Sequence, residues 1–315
     1  MSVLITDDCH PIMQQLFREA HIPFEVCTDV TYPSLLGMIA DYDALVVRSK
    51  IIIDQHFLDQ ARHLRCIGRL GAGMETIDVA YAEQLGIRCF NSPEGNRNAV
   101  GEHAIALLLA LLNHIASADA EVRQGLWRRE ANRGLELGPR TVGIIGFGNM
   151  GAAFAQRLQG FGCRIMAYDK YRSHYAPSYV EECTLEELQQ HCDVLSFHVP
   201  LTDETHHYLD HHFIEQMAHP FYLVNTARGA VICTEALAQG IRQERILGAA
   251  LDVNEYENPT QDRLNDEQLP DAFRYLLHSP RCLFTPHVAG WTVESKELLA
   301  SVLARKIIHH LTQPS

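Results

Sequence analysis

The chain has 315 residues, about the length of two domains, and a formal net charge of −13. Its 47% apolar and 21% charged residues allow a sizeable core, and the negative charge argues against nucleic-acid binding, which needs clustered Lys and Arg. No apolar run is long enough to span a membrane, and the start MSVLITDDCH does not resemble a signal peptide. We therefore expect a cytoplasmic protein with no nucleic-acid or membrane partner.

The first part of the chain alternates short apolar runs with amphipathic stretches. The predicted strands are SVLIT, FEVC, YDALVVR, RCIGRLG and IRCFN. The predicted helices are PIMQQLFREA, DQHFLDQARHL and ETIDVAYAEQLG. Continuous apolar strands separated by helices predict a parallel sheet with helices on both faces, which is an α/β fold.

The middle of the chain, NAVGEHAIALLLALLNHIASADAEVRQG, contains no proline and predicts one long helix of about 28 residues. This helix could bridge two domains or could be an ordinary core helix. A second series of strands then runs through RTVGIIGFGNMG, RIMAYD, DVLSFHVP, YLVNTA, ILGAALDV and CLFTPHVA. The tail VESKELLASVLARKIIHHL predicts a single closing helix.

A glycine-rich loop follows the first strand of the second series. Gly146, Gly148 and Gly151 form the pattern G-x-G-x-x-G between an apolar strand and a helical stretch. In this pattern the first glycine permits a tight turn, the second lets the backbone approach a pyrophosphate, and the third allows close packing of helix on strand. The loop predicts a dinucleotide-binding site.

The next strand ends at Asp169, 18 residues beyond Gly151. A carboxylate there can bind the ribose hydroxyls of adenosine and would repel a 2′-phosphate, so the sequence favours NAD over NADP. Lys170 and Arg172 lie close enough to weaken that preference.

Several motifs occur in a characteristic order along the chain. They are VVRSKIII, GRLGAGMETID, NSPEGNRNAVGEHA, GFGNMG, HVPLTDET, NTARGAVI, ALDVNEYE and TPHVAG. Over nearly its whole length the chain resembles the D-isomer-specific 2-hydroxyacid dehydrogenases. The resemblance implies two doubly wound parallel-sheet domains, with a Rossmann NAD-binding domain (residues 100–288) inserted into a flavodoxin-like substrate domain (residues 1–99 plus 289–315).

The resemblance assigns the catalytic roles to Arg228, Glu257 and His287. A histidine suits proton transfer because its pKa lies near neutral pH, and an arginine can hold a substrate carboxylate with two hydrogen bonds. Taken singly, Arg228 could form a surface salt bridge and Glu257 could be a solvated acid. Glu255 competes with Glu257, but Glu257 lies five residues past Asp252, where the family carries its acid.

The predicted cofactor-binding residues lie in the loops that follow the strands of the nucleotide domain. For His198 a structural role fits equally well. The full set is Gly146, Gly148, Asn149, Met150, Gly151, Asp169, His198, Pro200, Thr205, Thr226, Ala227 and Asp252.

The predicted substrate-binding residues lie mainly in the first half of the chain. Their excess of cations suggests a second anion besides the carboxylate, such as a phosphate, although these cations could instead be solvated or paired. The set is Arg48, Ser49, Lys50, Arg69, Gly71, Ala72, Gly73 and Trp291. Trp291 could line the pocket, lie in the core or contact a second subunit, and in some relatives residues such as Arg128 and Arg129 reach a neighbouring subunit's substrate.

We predict no metal site. His206, His207, His211 and His212 include pairs at helical spacing but lack an interleaved carboxylate pattern. The nine cysteines contain no C-x-x-C pair and are expected to be reduced.

The chain departs from the family pattern in two places. Asn254 stands where the family often has an aromatic residue, and Asn258 stands where it has a proline. The stretch from Glu257 to His287 is also longer than usual, and we interpret residues 258–281 as a polar surface excursion with no catalytic part.

The resemblance implies a homodimeric oxidoreductase that transfers a hydride between NAD and a D-2-hydroxy or 2-keto acid. The basic residues are most similar to those of members that act on 3-phosphoglycerate, in the short form without a regulatory domain. A glyoxylate or hydroxypyruvate reductase is the alternative within the family. An NAD-sensing binding protein similar to the corepressors is the alternative from another class.

Overall fold

The computed structural model describes residues 1–257 and 269–313. The chain divides into two compact units, one made of Met1–Arg97 and the segment that begins at Trp291, the other of Asn98–Gly290. Each unit is built on a parallel sheet with helices, so the predicted α/β fold class is confirmed. The assignment of substrate binding to the first unit stays a prediction.

The first unit contains a five-stranded parallel sheet in the order β2-β1-β3-β4-β5, counting the strands of the described residues. The strands are β1 (Val3–Ile5), β2 (Phe24–Val26), β3 (Ala44–Val47), β4 (Cys66–Arg69) and β5 (Arg88–Phe90). This order is that of flavodoxin-like sheets, in which ligands bind at the carboxyl ends of the strands.

Helices cover both faces of this sheet. They are α1 (Ile12–Glu19), α2 (Tyr32–Met38), α3 (Gln55–Gln60), α4 (Val79–Gln84) and the last helix of the chain, α12 (Val293–Thr312). α12 confirms the predicted closing helix and begins at Thr292, which forms a capping box with Ser295. It packs on β4 so closely that a Cβ at Gly68 would lie 2.7 Å from Ile307.

The second unit contains a seven-stranded parallel sheet in the order β12-β11-β10-β9-β6-β7-β8, again within the described residues. Its strands are β6 (Thr141–Ile145), β7 (Arg164–Tyr168), β8 (Glu181–Glu182), β9 (Val194–Phe197), β10 (Phe221–Asn225), β11 (Ile246–Leu251) and β12 (Cys282–Phe284). The order reverses direction between β6 and β9, and such a switch point is where dinucleotides bind in doubly wound sheets.

The helices of the second unit enclose that sheet. They are α5 (Arg97–Leu112), α6 (Ile115–Arg123), α7 (Asn149–Leu158), α8 (Leu185–His191), α9 (His211–Gln216), α10 (Thr234–Arg242) and α11 (Asp271–His278). One core cluster, which includes Leu108, Ile144 and Phe154, lies on one face of the sheet. Another, which includes Phe197, Leu223 and Phe273, lies on the other.

The prediction of one helix of about 28 residues in the middle of the chain is wrong. The chain breaks at Asn113 and His114 into α5 and α6, which are bent by 61°. His114 adopts a left-handed backbone with φ of 53°, which ends the regular helix. Within the described residues, no single helix is long and apolar enough to cross a membrane, and only this bent pair meets the length and composition criteria.

The interpretation of residues 258–281 as a polar excursion is wrong for its second part. Residues 271–278 form α11, in which Phe273 and Leu276 are each 1% exposed and belong to the main core of the second unit. The three-residue spacing of these apolar side chains is that of an amphipathic helix. Asn258 and the rest of 258–268 lie outside the described residues.

Candidate active site

The glycine loop connects β6 to α7 as the sequence predicted. Gly146 has a φ of +90°, and a Cβ there would lie 2.7 Å from the carbonyl oxygen of His198, so only glycine fits. A Cβ at Gly151 would overlap the carbonyl oxygen of Gly146, which shows close helix–strand packing. Gly148 faces open space, with no atom within 4 Å of its added Cβ. Asn149 and Met150 follow at the start of α7, whose free N–H groups suit a pyrophosphate.

Asp169 follows β7 and lies beside this loop. Its Oδ2 accepts a hydrogen bond of 2.9 Å from the backbone N–H of Phe147, and its Oδ1 accepts one from Tyr171. The two cations that weakened the preference for NAD are both engaged elsewhere. Lys170 pairs with Glu204, and Arg172 donates to the carbonyl oxygen of Phe147. This arrangement fits the predicted preference for NAD, since a carboxylate beside the glycine loop suits a ribose and would repel a 2′-phosphate.

Arg228 lies in a tight turn after β10. The side chain of Asn225 holds this turn, since its Nδ2 donates to the carbonyl oxygen of Arg228 at 2.9 Å and its Oδ1 accepts from Ala227. Gly229 completes it, because a Cβ there would overlap the backbone of Asn254. The sequence analysis missed Asn225 and Gly229, whose importance lies in this packing. Thr226 and Ala227 are buried in the turn.

His287 and Glu257 form a hydrogen-bonded pair. The distance between Nδ1 of His287 and Oε2 of Glu257 is 3.1 Å. This hydrogen bond raises the pKa of His287 above its ordinary value. Burial and the charge of Arg228 oppose the rise, and Asp252 adds to it. With Nδ1 held by the carboxylate, Nε2 remains for proton exchange with a ligand.

Asp252 organises the turn that carries His287. Its buried carboxylate accepts hydrogen bonds from the hydroxyl of Thr285 at 2.6 Å and from the backbone N–H groups of Val288 and Ala289, both at 2.9 Å. His103, on α5, lies 3.0 Å from the Thr285 hydroxyl and 3.5 Å from the Asp252 carboxylate. Hydrogen bonds to the anion keep the pKa of Asp252 low despite its burial. The sequence analysis did not single out His103 or Thr285, and the predicted cofactor contact of Asp252 stays a prediction.

Arg48 and Trp291, both in the first unit, stack on each other. The guanidinium carbon of Arg48 lies 4.2 Å from the centroid of the Trp291 ring. Trp291 is 65% exposed, which excludes the alternative that it is a core residue. Ser49 follows in the same exposed segment. Lys50 lies 4.0 Å from the carboxylate of Asp7 and donates to the carbonyl oxygen of Thr28.

The glycine turn after β4 depends on glycine at its first position. Gly71 has a φ of +150°, and the guanidinium of Arg69 lies so close that a Cβ on Gly71 would overlap it. The side chain of Asn91 donates to the carbonyl oxygen of Ala72 at 2.6 Å, which fixes the turn. The backbone N–H groups of this turn, including that of Gly73, are the predicted carboxylate donors.

His198, Pro200 and Thr205 lie in the loop after β9. The imidazole of His198 bonds to the hydroxyl of Ser196 at 2.9 Å, and burial lowers its pKa to about 3, so the ring is neutral. Its Nδ1 is buried, with no hydrogen-bond partner among the described residues. Thr205 donates to the carbonyl oxygen of Pro200 and stabilises the loop itself. Cofactor contacts by these residues stay predictions.

The remaining candidates are two arginines that follow α6 and the histidine cluster. Arg128 is exposed and forms an ion pair with Glu121, which agrees with the alternative that the cations are solvated or paired. Arg129 is also exposed. Over residues 1–257 and 269–313, no group of three or more His, Cys, Asp or Glu side chains could hold a metal ion.

Comparison with known proteins decides the family. Residues 105–289 match the model of the D-isomer specific 2-hydroxyacid dehydrogenase, NAD binding domain. The chain belongs to the D-isomer-specific 2-hydroxyacid dehydrogenases. The protein is therefore an NAD-dependent oxidoreductase of 2-hydroxy and 2-keto acids, which confirms the family and the cofactor predicted from the sequence.

Individual relatives of this dehydrogenase differ in substrate. It is 35% identical over 277 residues to a hydroxypyruvate reductase of Thermotoga maritima, covering 88% of this chain and 87% of the relative. It is 32% identical over 311 residues to a D-3-phosphoglycerate dehydrogenase of Archaeoglobus fulgidus, covering 98% of this chain but only 57% of the relative. The solved structure of a D-lactate dehydrogenase from Treponema pallidum matches with a TM-score of 0.80 and 27% identity, covering 97% of this chain and 95% of that one.

The pairing of Glu257 with His287 in this dehydrogenase makes a testable prediction about pH. Glu257→Gln removes the charge that raises the pKa of His287, so that pKa should fall. If His287 is the proton donor that the sequence analysis predicts, reduction of a keto acid needs its protonated form, and the rate should decline as pH rises through this pKa. In the variant the decline should begin at lower pH, and kcat should fall roughly 10²-fold because the imidazolium loses its partner. The pH profile of kcat measures both effects, and an unchanged profile would contradict the pairing.

Proposed function

We propose that this dehydrogenase interconverts 3-phosphoglycerate and 3-phosphohydroxypyruvate, a step of serine biosynthesis, with Arg228, Glu257 and His287 as its catalytic residues. The observation that carries the reaction is the 3.1 Å contact between Glu257 and His287. It supplies a histidine of raised pKa, and the influence of Arg228 on that pKa indicates that the guanidinium lies near the imidazole.

The chemistry follows from these three side chains. During reduction, Nε2 of His287 gives a proton to the keto oxygen, and Glu257 stabilises the orientation and charge of the ring. Arg228 holds the substrate carboxylate and polarises the neighbouring carbonyl. NAD, when bound, donates or accepts the hydride. In the oxidation direction, neutral His287 takes the proton from the hydroxyl group.

The choice of a phosphorylated substrate rests on Arg48 and on the relatives. Arg48 stacks on Trp291 and thereby keeps its in-plane N–H donors available for an anion. One relative with this chemistry, the D-3-phosphoglycerate dehydrogenase, matches 98% of the chain. Two observations favour hydroxypyruvate as a second candidate. Lys50 is near the carboxylate of Asp7, and the hydroxypyruvate reductase matches over 87% of its own length.

An assay of NADH oxidation with four keto acids tests the proposal. We expect the highest kcat/KM with 3-phosphohydroxypyruvate, and lower values with hydroxypyruvate, glyoxylate and pyruvate. A preference for hydroxypyruvate would overturn the substrate but keep the reaction. NADH binding without turnover of any of the four would overturn the enzymatic function and favour the NAD-sensing alternative.

A variant of Arg48 sharpens the same test. Arg48→Gln should lower kcat/KM for the phosphorylated keto acid about tenfold or more, because a hydrogen bond to a charged group is lost. The value for glyoxylate, which has no phosphate, should change little. Arg62→Gln, an exposed arginine of the same unit, is the matched control.

We also propose that the protein is a cytoplasmic homodimer. Nine free cysteines suit a reducing compartment. Ile115, Val122, Leu126 and Trp127 form an exposed apolar segment at and after α6, and Trp127 is 78% exposed. Exposed apolar residues of this size are typical of subunit contacts.

A further inference from the structure

A second glutamate of the catalytic loop, Glu255, has its own set of partners. One carboxylate oxygen, Oε1, lies 2.5 Å from Nε2 of His207. The other, Oε2, accepts a 2.8 Å hydrogen bond from the backbone N–H of Thr234 and a further bond from the Thr234 hydroxyl. The Glu255 side chain is only 15% exposed, so its polar atoms need these hydrogen-bond partners. Both of its oxygens are thus occupied away from the reaction centre.

His207 is held rigidly by its backbone. Its N–H donates to the carbonyl oxygen of Ala230 at 2.7 Å, and two residues later Leu209 exchanges hydrogen bonds with Val231 and Cys233. Its φ of 53° lies in the left-handed region, which His and Asn tolerate better than most residues. The ring also stacks on that of His206, with centroids 4.0 Å apart. His207 therefore offers Glu255 a fixed partner.

The segment from Glu255 to Glu257 is short, and a hydrogen bond and a ring contact restrain its conformation. The side chain of Asn254 accepts a 2.9 Å hydrogen bond from the backbone N–H of Tyr256, which forms a tight turn. The ring of Tyr256 packs on Phe273, with centroids 5.0 Å apart. Glu257 follows at once and reaches His287. A displacement of Glu255 would therefore be transmitted to the carboxylate of Glu257 over two residues.

We propose that His207 is a positioning residue for the reaction, because its hydrogen bond with Glu255 fixes the loop that holds Glu257 against His287. The inference rests on the proposed catalytic role of the Glu257–His287 pair. It gives a function to one of the four clustered histidines, which the sequence analysis had weighed only as metal ligands.

Two variants of His207 test the proposal. His207→Asn accepts the left-handed backbone but is too short to reach Glu255. His207→Gln is long enough to place an N–H donor near the position of Nε2 and should rescue part of the effect. His212→Gln, on the same surface segment, changes a histidine bonded to Gln216 and serves as the control.

The direct readout is the pKa of His287, measured by NMR titration of the imidazole and assigned by the loss of its signal in His287→Asn. The titratable and charged groups facing His287 are Glu257, Asp252 and Arg228, and the titratable groups facing His207 are Glu255 and His206. We expect the pKa of His287 to fall in His207→Asn, partly recover in His207→Gln and stay constant in His212→Gln. We expect kcat to fall roughly tenfold in His207→Asn, to recover partly in His207→Gln and to stay constant in His212→Gln. The Kd for NADH should be unchanged in all three variants.

The outcomes separate this proposal from the proposed function. Folded His207→Asn with the wild-type pKa of His287 and wild-type kcat would overturn the positioning role. So would a loss of kcat that follows only a lower folded fraction, seen by circular dichroism, without a change in that pKa. If His207→Asn does not fold, Glu255→Gln tests the same contact and should lower the same pKa of His287. Absence of turnover in the wild-type protein would overturn the proposed function alone, and the NMR titration would still decide the role of His207.

Discussion

His287→Asn is expected to lower kcat for keto-acid reduction by about 10²- to 10⁴-fold, which is the usual contribution of a positioned acid or base. His287 has a φ of 54°, and asparagine accepts this backbone conformation better than alanine does, so the substitution removes the proposed proton donor with little added strain. The Kd for NADH should stay near the wild-type value, since the glycine loop and Asp169 are unchanged. Stopped-flow or steady-state kinetics together with NADH titration measure both quantities.

The control for this variant is His278→Ala, which removes an exposed histidine at the end of α11. It should leave kcat unchanged. If His287→Asn keeps most of its activity while His278→Ala behaves as the wild type, another group must carry the proton. His103 would then be the next residue to change, because it lies beside Asp252 and Thr285.

Arg228→Ala should raise the KM for the 2-keto acid about 10- to 100-fold, because a hydrogen bond between charged groups contributes about 1.5–3 kcal/mol. Arg228→Lys keeps the charge but loses the planar guanidinium that can form two parallel hydrogen bonds. Its KM should therefore lie between those of the wild type and Arg228→Ala. The Kd for NADH should change little. Inhibition by a non-reacting carboxylate such as oxamate offers a second measure of the same anchor.

The pH profile of Arg228→Ala gives an independent check of the direction in which Arg228 shifts the pKa of His287. The charge of Arg228 lowers the pKa of His287, so its removal should raise that pKa and move the decline of the reduction rate to higher pH. This shift is opposite to the one expected for Glu257→Gln. A weaker affinity for NADH with an unchanged KM for the keto acid would instead place Arg228 at the cofactor.

Much of this architecture could be predicted because buried parallel strands are continuous apolar runs. Val3–Ile5 and Ala44–Val47 are both fully apolar strands, and the residues that follow strands are those at the functional edge. The glycine loop was recognisable from its spacing after an apolar strand, and two of its glycines, Gly146 and Gly151, have a steric reason that excludes any larger residue. The choice of Glu257 over Glu255 came from spacing, and the structure gives these two acids separate partners, His287 and His207.

The rest depended on contacts between residues far apart in sequence. Asn225, His103 and His207 are single polar residues that follow no periodic pattern in the sequence. Only the tertiary structure shows which groups they contact. The break at His114 was hidden because the residues on both sides favour helix, while the turn itself depends on one backbone conformation. The helix α11 was missed because the polar composition of the whole stretch concealed three apolar residues at helical spacing.

The return of α12 to the first sheet has a consequence for the order of events during synthesis. Leu303 and Ile307 complete the core over Gly68, yet they leave the ribosome after the whole of the second unit. Domains generally fold as units while the chain emerges. The second unit can therefore fold first, although it begins later, whereas the nascent first sheet keeps an apolar face uncovered until the last helix arrives. Apolar surface that stays exposed during that interval favours aggregation of the growing chain.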